Sequence, residues 1–180
     1  MGRVTDHLDS ATTAWIGEQR LFFVGTAPAD GGHVNLSPKG LDSFRVIDDR
    51  TVAYLDLTGS GAETIAHIRD NGRVTVMFCA FDGPPRILRL YGTGSVTLPS
   101  DPAFAGLAGR FPDRRAVRSI ISVTLERVQD SCGYAVPKMD YVEDRTRLDT
   151  WAANRTDDEI EAYWADKNAV SIDGLPALDV

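Results

Sequence analysis

Residues 73–98 read RVTVMFCAFDGPPRILRLYGTGSVTL, and this stretch decides the fold class. In Arg73 to Phe81, Val74, Val76, Phe78 and Ala80 alternate with Thr75, Met77, Cys79 and Phe81. The period of two marks a strand, and the apolar character of both sets predicts burial on both faces. Such a strand belongs in a barrel wall that is covered on its outer side, or at a subunit interface. Asp82-Gly83-Pro84-Pro85 is turn chemistry. In the second strand, Leu88, Leu90, Val96 and Leu98 share a face with Gly92 and Gly94, while Arg89, Tyr91, Thr93, Ser95 and Thr97 take the other. Glycine inside a long strand signals a bend or a close backbone approach, as at a barrel corner.

Outward from this hairpin the pattern continues. Arg20 to Thr26 reads as a strand, Pro28 to Gly32 as a turn, and His33 to Leu36 as the start of a returning strand. Phe44 to Ile47 and Thr51 to Leu57 flank Asp48-Asp49-Arg50 as a hairpin. Ser119 to Val128 is a further strand, with Ile121, Val123 and Leu125 on one face. Helices sit around these strands. Leu8, Ala11, Trp15 and Ile16 mark one face of an N-terminal helix. Ser60 and Glu63 have capping-box spacing ahead of Ile65 and Ile68, with Asn71-Gly72 as the stop. Asp101-Pro102 opens a short helix, and Thr156 with Glu159 caps a last one carrying Ile160, Tyr163 and Trp164. The tally is six or seven strands in hairpin-like order, which excludes a doubly wound parallel sheet and predicts a mainly β, closed or split antiparallel barrel with peripheral helices.

The 180 residues amount to about one domain. We therefore expect a single unit over residues 1–180, with an N-terminal helix and a C-terminal helical tail. Lys and Arg number 19 against 26 Asp and Glu, a formal charge of −7 without a basic block, which argues against nucleic acid as partner. No apolar run approaches the roughly 20 residues of a membrane span, and Met1 to His7 has no apolar core of a secretory signal, so the expected location is the cytoplasm. Cys79 and Cys132 make no disulfide framework, and with His7, His33 and His67 far apart no metal spacing appears.

The sharpest local feature is Leu57-Thr58-Gly59-Ser60-Gly61, between a strand and a helix start. Two glycines admit a ligand close to the backbone, and free helix N–H groups favour an anion. The competing reading is a capped helix after a turn, with no ligand. Lys39 in Ser37-Pro38-Lys39-Gly40 is a candidate cation. Arg89 interrupts an apolar strand and needs a partner, either a carboxylate or an anionic ligand. Cys132, between Ser131 and Gly133, is either a reactive thiol or a small residue at a close contact. No Ser-His-Asp set or GxSxG elbow is present, and no catalytic acid or base stands out.

The ordered set Asn35 to Gly40, Tyr54 to Gly61, Glu63-Thr64, Gly72-Arg73-Val74, Met77-Phe78, Pro84-Pro85, Leu90-Tyr91-Gly92 and Ser131 to Tyr134 resembles proteins related to pyridoxamine 5'-phosphate oxidase, from about Trp15 to Trp151. The resemblance implies a six-stranded split barrel that dimerises, with FMN in clefts at the dimer interface. It implies an FMN-dependent oxidoreductase acting on a small molecule. The alternative is a flavin-binding or sensing protein without turnover, and relatives of this fold that bind deazaflavin or haem keep the cofactor open. Carried onto this chain, the cofactor set is Ser37, Lys39, Thr58, Gly59, Ser60, Glu63, Thr64, Arg89 and Cys132. Two departures stand out. The oxidases place an Arg-Lys pair where Glu63 and Thr64 stand here, and they end in a basic, Trp-containing segment that grips substrate phosphate. This chain ends Gly174-Leu175-Pro176-Ala177-Leu178-Asp179-Val180, so its substrate is left unassigned.

Overall fold

One antiparallel sheet carries the fold in the computed structural model, which describes residues 2–179. The elements are β1 (Val4–Thr5), α1 (Ser10–Glu18), β2 (Phe22–Thr26), β3 (Asn35–Lys39), β4 (Phe44–Val46), β5 (Thr51–Leu57), α2 (Glu63–Asn71), β6 (Arg73–Cys79), β7 (Ile87–Thr97), α3 (Phe104–Ala108), β8 (Val117–Ser131), α4 (Arg147–Ala153) and α5 (Asp157–Lys167). Strand order is β3-β2-β6-β7-β8-β5-β4, and β1 pairs with β8.

The sheet curls until its two ends meet. The ring of Phe22 on β2 lies 5.0 Å from Phe44 on β4 and 5.5 Å from Tyr54 on β5, and Phe44 reaches Phe78 on β6 at 5.0 Å. These edge-to-face aromatic contacts add to burial. Val24, Val52, Val76, Leu88, Leu90, Ile121 and Val123 fill the interior between them, all essentially inaccessible. Their alternation along each strand is the reason the sheet has an inside. The mainly β split barrel expected from the sequence is thus observed, with eight strands rather than six: the sequence marks the short β4 at Phe44 to Ile47, but not β1.

Gly92 shows why the long β7–β8 ladder bends. The register shifts between Tyr91 and Gly92, and a Cβ on Gly92 would stand 2.0 Å from the carbonyl oxygen of Thr124. Only glycine admits that approach. α2 packs Ile65 and Ile68 onto the barrel and stops at Gly72, whose φ of 74° suits the left-handed cap.

Several local expectations are corrected. The box at Ser60 and Glu63 does not form: α2 starts at Glu63, its N-cap is Ala62, and no side chain caps it. The strand predicted to start over His33 to Leu36 begins at Asn35 and runs on through Ser37, Pro38 and Lys39 as β3; Pro38 is tolerated there because β3 is an edge strand. β6 buries Val74, Val76 and Phe78, whereas Thr75 and Met77 are half-buried, so this chain covers one face of that strand and only part of the other. β8 runs over 15 residues, longer than the predicted strand. The box from Thr156 to Glu159 is present, with both hydrogen bonds.

After α5 the chain folds back. Val170 bridges Pro176, the Leu178 N–H donates to the Asn168 carbonyl, and Ala177 and Leu178 join the core. No helix among the described residues is long and apolar enough to cross a membrane.

Candidate functional site

The split between β3 and the end of β5 opens a cavity of about 700 Å³. That is within the size range of small-molecule sites. One wall is β3, where strand alternation places Asn35, Ser37 and Lys39 on one side. The other wall is the loop Thr58 to Gly61. Leu148 and Ile172, from later segments, reach its margin.

A buried charge cluster ties the two walls together. Asp56 on β5 is fully buried; its Oδ1 accepts from Lys39 Nζ at 3.0 Å and its Oδ2 from Arg118 Nε at 2.7 Å. Burial alone would push the Asp56 carboxyl up, but Lys39 and Arg118 outweigh it and hold the group at about 2. Two cations against one carboxylate leave one positive charge of excess beside the cavity. Arg118 also donates through Nη1 to the Gly61 carbonyl at 2.7 Å, and more distantly to that of Gly59 at 3.5 Å.

The loop is pinned at its other points too. Thr58 Oγ1 donates to the Ala116 carbonyl at 2.8 Å and accepts from Trp164 Nε1 at 2.8 Å. Asn168 Nδ2 donates to the Gly59 carbonyl at 3.0 Å. Among the described residues, the N–H groups of Gly59 to Thr64 find no protein acceptor. A Cβ added at Gly59 would meet nothing within 4 Å, so the space over that backbone is open.

Behind β3, a polar chain continues inward. Ser37 Oγ donates to Asn35 Oδ1 at 3.0 Å, and Asn35 Nδ2 donates to Thr64 Oγ1 and Thr26 Oγ1 at 3.0 and 3.1 Å. Thr26 in turn meets Nδ1 of the buried His67 at 3.0 Å, and burial pushes the His67 imidazole below its ordinary value. This chain of bonds holds Ser37 toward the cavity.

The structure brings together six of the nine residues expected at a cofactor: Ser37, Lys39, Thr58, Gly59, Ser60 and Glu63 all line the cavity. Thr64 sits behind them, bonded by Asn35. Glu63 turns its carboxylate beside Gly61 and accepts from the Ile172 N–H at 3.3 Å. Arg89 and Cys132 lie apart from this cavity. Arg89 is half-buried and donates to Ser131 Oγ at 3.3 Å rather than pairing with Glu63, and Cys132 is exposed. The charge of Lys39, expected to be free for a ligand, is shared with Asp56.

Sequence reasoning missed Asp56, Arg118, Trp164 and Asn168. A signal existed for the first two: Asp56 interrupts the apolar run Val52 to Leu57, and Arg118 precedes Ile120 and Ile121. The partner argument applied to Arg89 applies equally to both. Nothing local marks Trp164 or Asn168.

The donor set fits a phosphate monoester such as that of FMN. It offers unclaimed backbone N–H groups at a helix start, the Ser60 hydroxyl, and the cationic excess of Lys39 and Arg118. Glu63 is the opposing charge of the site: its carboxylate lies beside Gly61 and accepts from the Ile172 N–H.

Comparisons with known proteins agree with this architecture. A family model described as pyridoxamine 5'-phosphate oxidase matches residues 8–132. The pyridoxamine 5'-phosphate oxidase family protein ustO of Aspergillus flavus is 45% identical over 183 residues, spanning 91% of this chain and 73% of that protein. HupZ of Group A Streptococcus is 25% identical with a TM-score of 0.52, covering 67% of this chain and 91% of that one. A Lactobacillus delbrueckii protein assigned to the pyridoxamine 5'-phosphate oxidases shares the fold, with a TM-score of 0.55 at 20% identity over 69% of this chain and 94% of its own.

Proposed function

This chain belongs to the pyridoxamine 5'-phosphate oxidase family, and on that footing we propose that it is an FMN-dependent oxidoreductase of the cytoplasm, a single split-barrel unit acting as a homodimer on a small molecule. The observation that carries the reading is the loop Thr58 to Gly61, where the Gly59, Ser60 and Gly61 N–H groups are unclaimed and the loop borders one cavity with Ser37 and Lys39. When bound, FMN supplies hydride transfer, and the protein supplies binding and orientation.

The roles follow from the geometry. Ser60 and the start of α2 donate to the flavin phosphate, and Lys39 and Arg118 balance its charge; Ser37, whose hydroxyl proton goes to Asn35, lines the cleft and accepts from the ligand. Thr58 and Thr64 act from behind, fixing the loop and Asn35. Arg89 and Cys132, away from the cavity of their own chain, act on the cleft of a second copy. The partly open face of β6, carrying Thr75 and Met77, supports that second copy. The substrate is left unassigned.

Titration of the purified chain with FMN tests this reading, followed by flavin fluorescence. Saturable quenching, then bleaching by a nicotinamide donor and reoxidation in air, is the expected result. Quenching without bleaching by any donor would leave a flavin-binding protein and remove the oxidoreductase. No quenching would remove both.

A further inference from the structure

Asn168 follows α5, beyond the residues matched by the family model, yet it reaches the loop at the centre of the cleft. It is fully buried. Its backbone is fixed on both sides, the N–H donating to Trp164 O at 2.7 Å and the carbonyl accepting from Leu178 N at 3.1 Å. Its side chain donates from Nδ2 to the Gly59 carbonyl, while Oδ1 is buried without a partner. A buried amide with an orphaned oxygen costs stability. The opposite orientation is worse, since Oδ1 would then face the Gly59 oxygen. The amide is thus poorly explained as a stabilising group and well explained as a donor aimed at one carbonyl.

That carbonyl controls an N–H. In a trans peptide the C=O and the next N–H point in opposite directions within one plane. Drawing the Gly59 oxygen inward turns the Ser60 N–H outward, and Ser60 is exposed and lines the cavity. Two peptides later Arg118 holds the Gly61 carbonyl and fixes the same loop from the protein side.

We infer that Asn168 is a positioning residue for the phosphate seat: by holding the Gly59 carbonyl inward it aims the Ser60 N–H at the phosphate monoester of the ligand. This rests on the FMN reading given above. A merely structural Asn168 would anchor the C-terminal segment and affect every ligand of the cleft alike.

FMN and riboflavin differ only in that phosphate, so they separate the two roles. Dissociation constants for both are measured by fluorescence quenching on the full chain, for the wild type, Asn168→Ala and the near-isosteric Asn168→Asp. Losing an aligned donor to a charged phosphate is expected to weaken FMN binding about tenfold in both variants, with riboflavin affinity unchanged. Equal losses for the two ligands, or unchanged FMN affinity in a folded variant, overturn the inference. A wild type that binds FMN no tighter than riboflavin instead overturns the phosphate seat itself, a result read before any variant is made. If neither variant folds, the Ser60 amide resonance of the wild type decides. It shifts with FMN and not with riboflavin if the inference holds, and an equal response to both refutes it.

Discussion

Replacing Arg118 with Met removes one of two cations from a carboxylate that water cannot reach. The Arg118 and Asp56 side chains are 5% and 0% exposed. Breaking a buried pair by deleting one partner costs about 3–5 kcal/mol, because the remaining charge is left uncompensated. Lys39 stays at 3.0 Å from Asp56, which places the cost at the lower end, about 3 kcal/mol. For a chain of this length that is a melting point lowered by about 6–12 °C. Arg115→Met is the matched control, since the Arg115 and Asp157 side chains are 49% and 86% exposed. An exposed pair contributes at most about 1 kcal/mol. Urea unfolding at pH 7, with coincident transitions by fluorescence and circular dichroism, measures both. If Arg118→Met costs no more than Arg115→Met, the cluster does not join the walls of the cleft as argued.

Three further outcomes follow from the same geometry. Asp56 is held at about 2 against 3.8 for the ordinary group, so its contribution to stability is complete above pH 3.8 and is lost as pH falls toward 2; Asp56→Asn should flatten the acid limb of stability, and an unchanged limb contradicts this. Ser60→Ala should leave the unfolding free energy of the free protein, measured in urea, within about 0.5 kcal/mol of wild type, not lower it by the roughly 1 kcal/mol of a lost cap, because Ser60 caps nothing. Met77→Glu puts a charge on the partly open face of β6, and sedimentation should show a dimer in wild type and a monomer in the variant; equal masses argue against that face as the interface.

Much of this fold is legible in the sequence because its signals are local. Val74, Val76 and Phe78 alternate, Gly92 breaks a long strand, Gly72 ends a helix, and Thr156 with Glu159 caps one. The exception shows what spacing leaves out. Ser60 and Glu63 satisfy the capping pattern, yet the loop carbonyls are drawn inward by Arg118 and Asn168, and Glu63 is engaged by Ile172. Those partners are far away in the chain. The charge cluster is hidden for the same reason. Asp56 and Arg118 meet only because β5 and β8 pair with Asp56 opposite Ser119, and Lys39 arrives only when the sheet curls. The partly open face of β6 has a different cause: apolar composition reports that a face avoids water, not which chain covers it.

The central claim is that the cleft between β3 and the Thr58–Gly61 loop seats the phosphate of a flavin. A crystal structure of the chain with FMN tests it most directly. The account predicts phosphate density within about 3 Å of the Ser60 N–H, with Lys39 and Arg118 still on Asp56. Flavin density elsewhere, or a phosphate turned away from this loop, would contradict it.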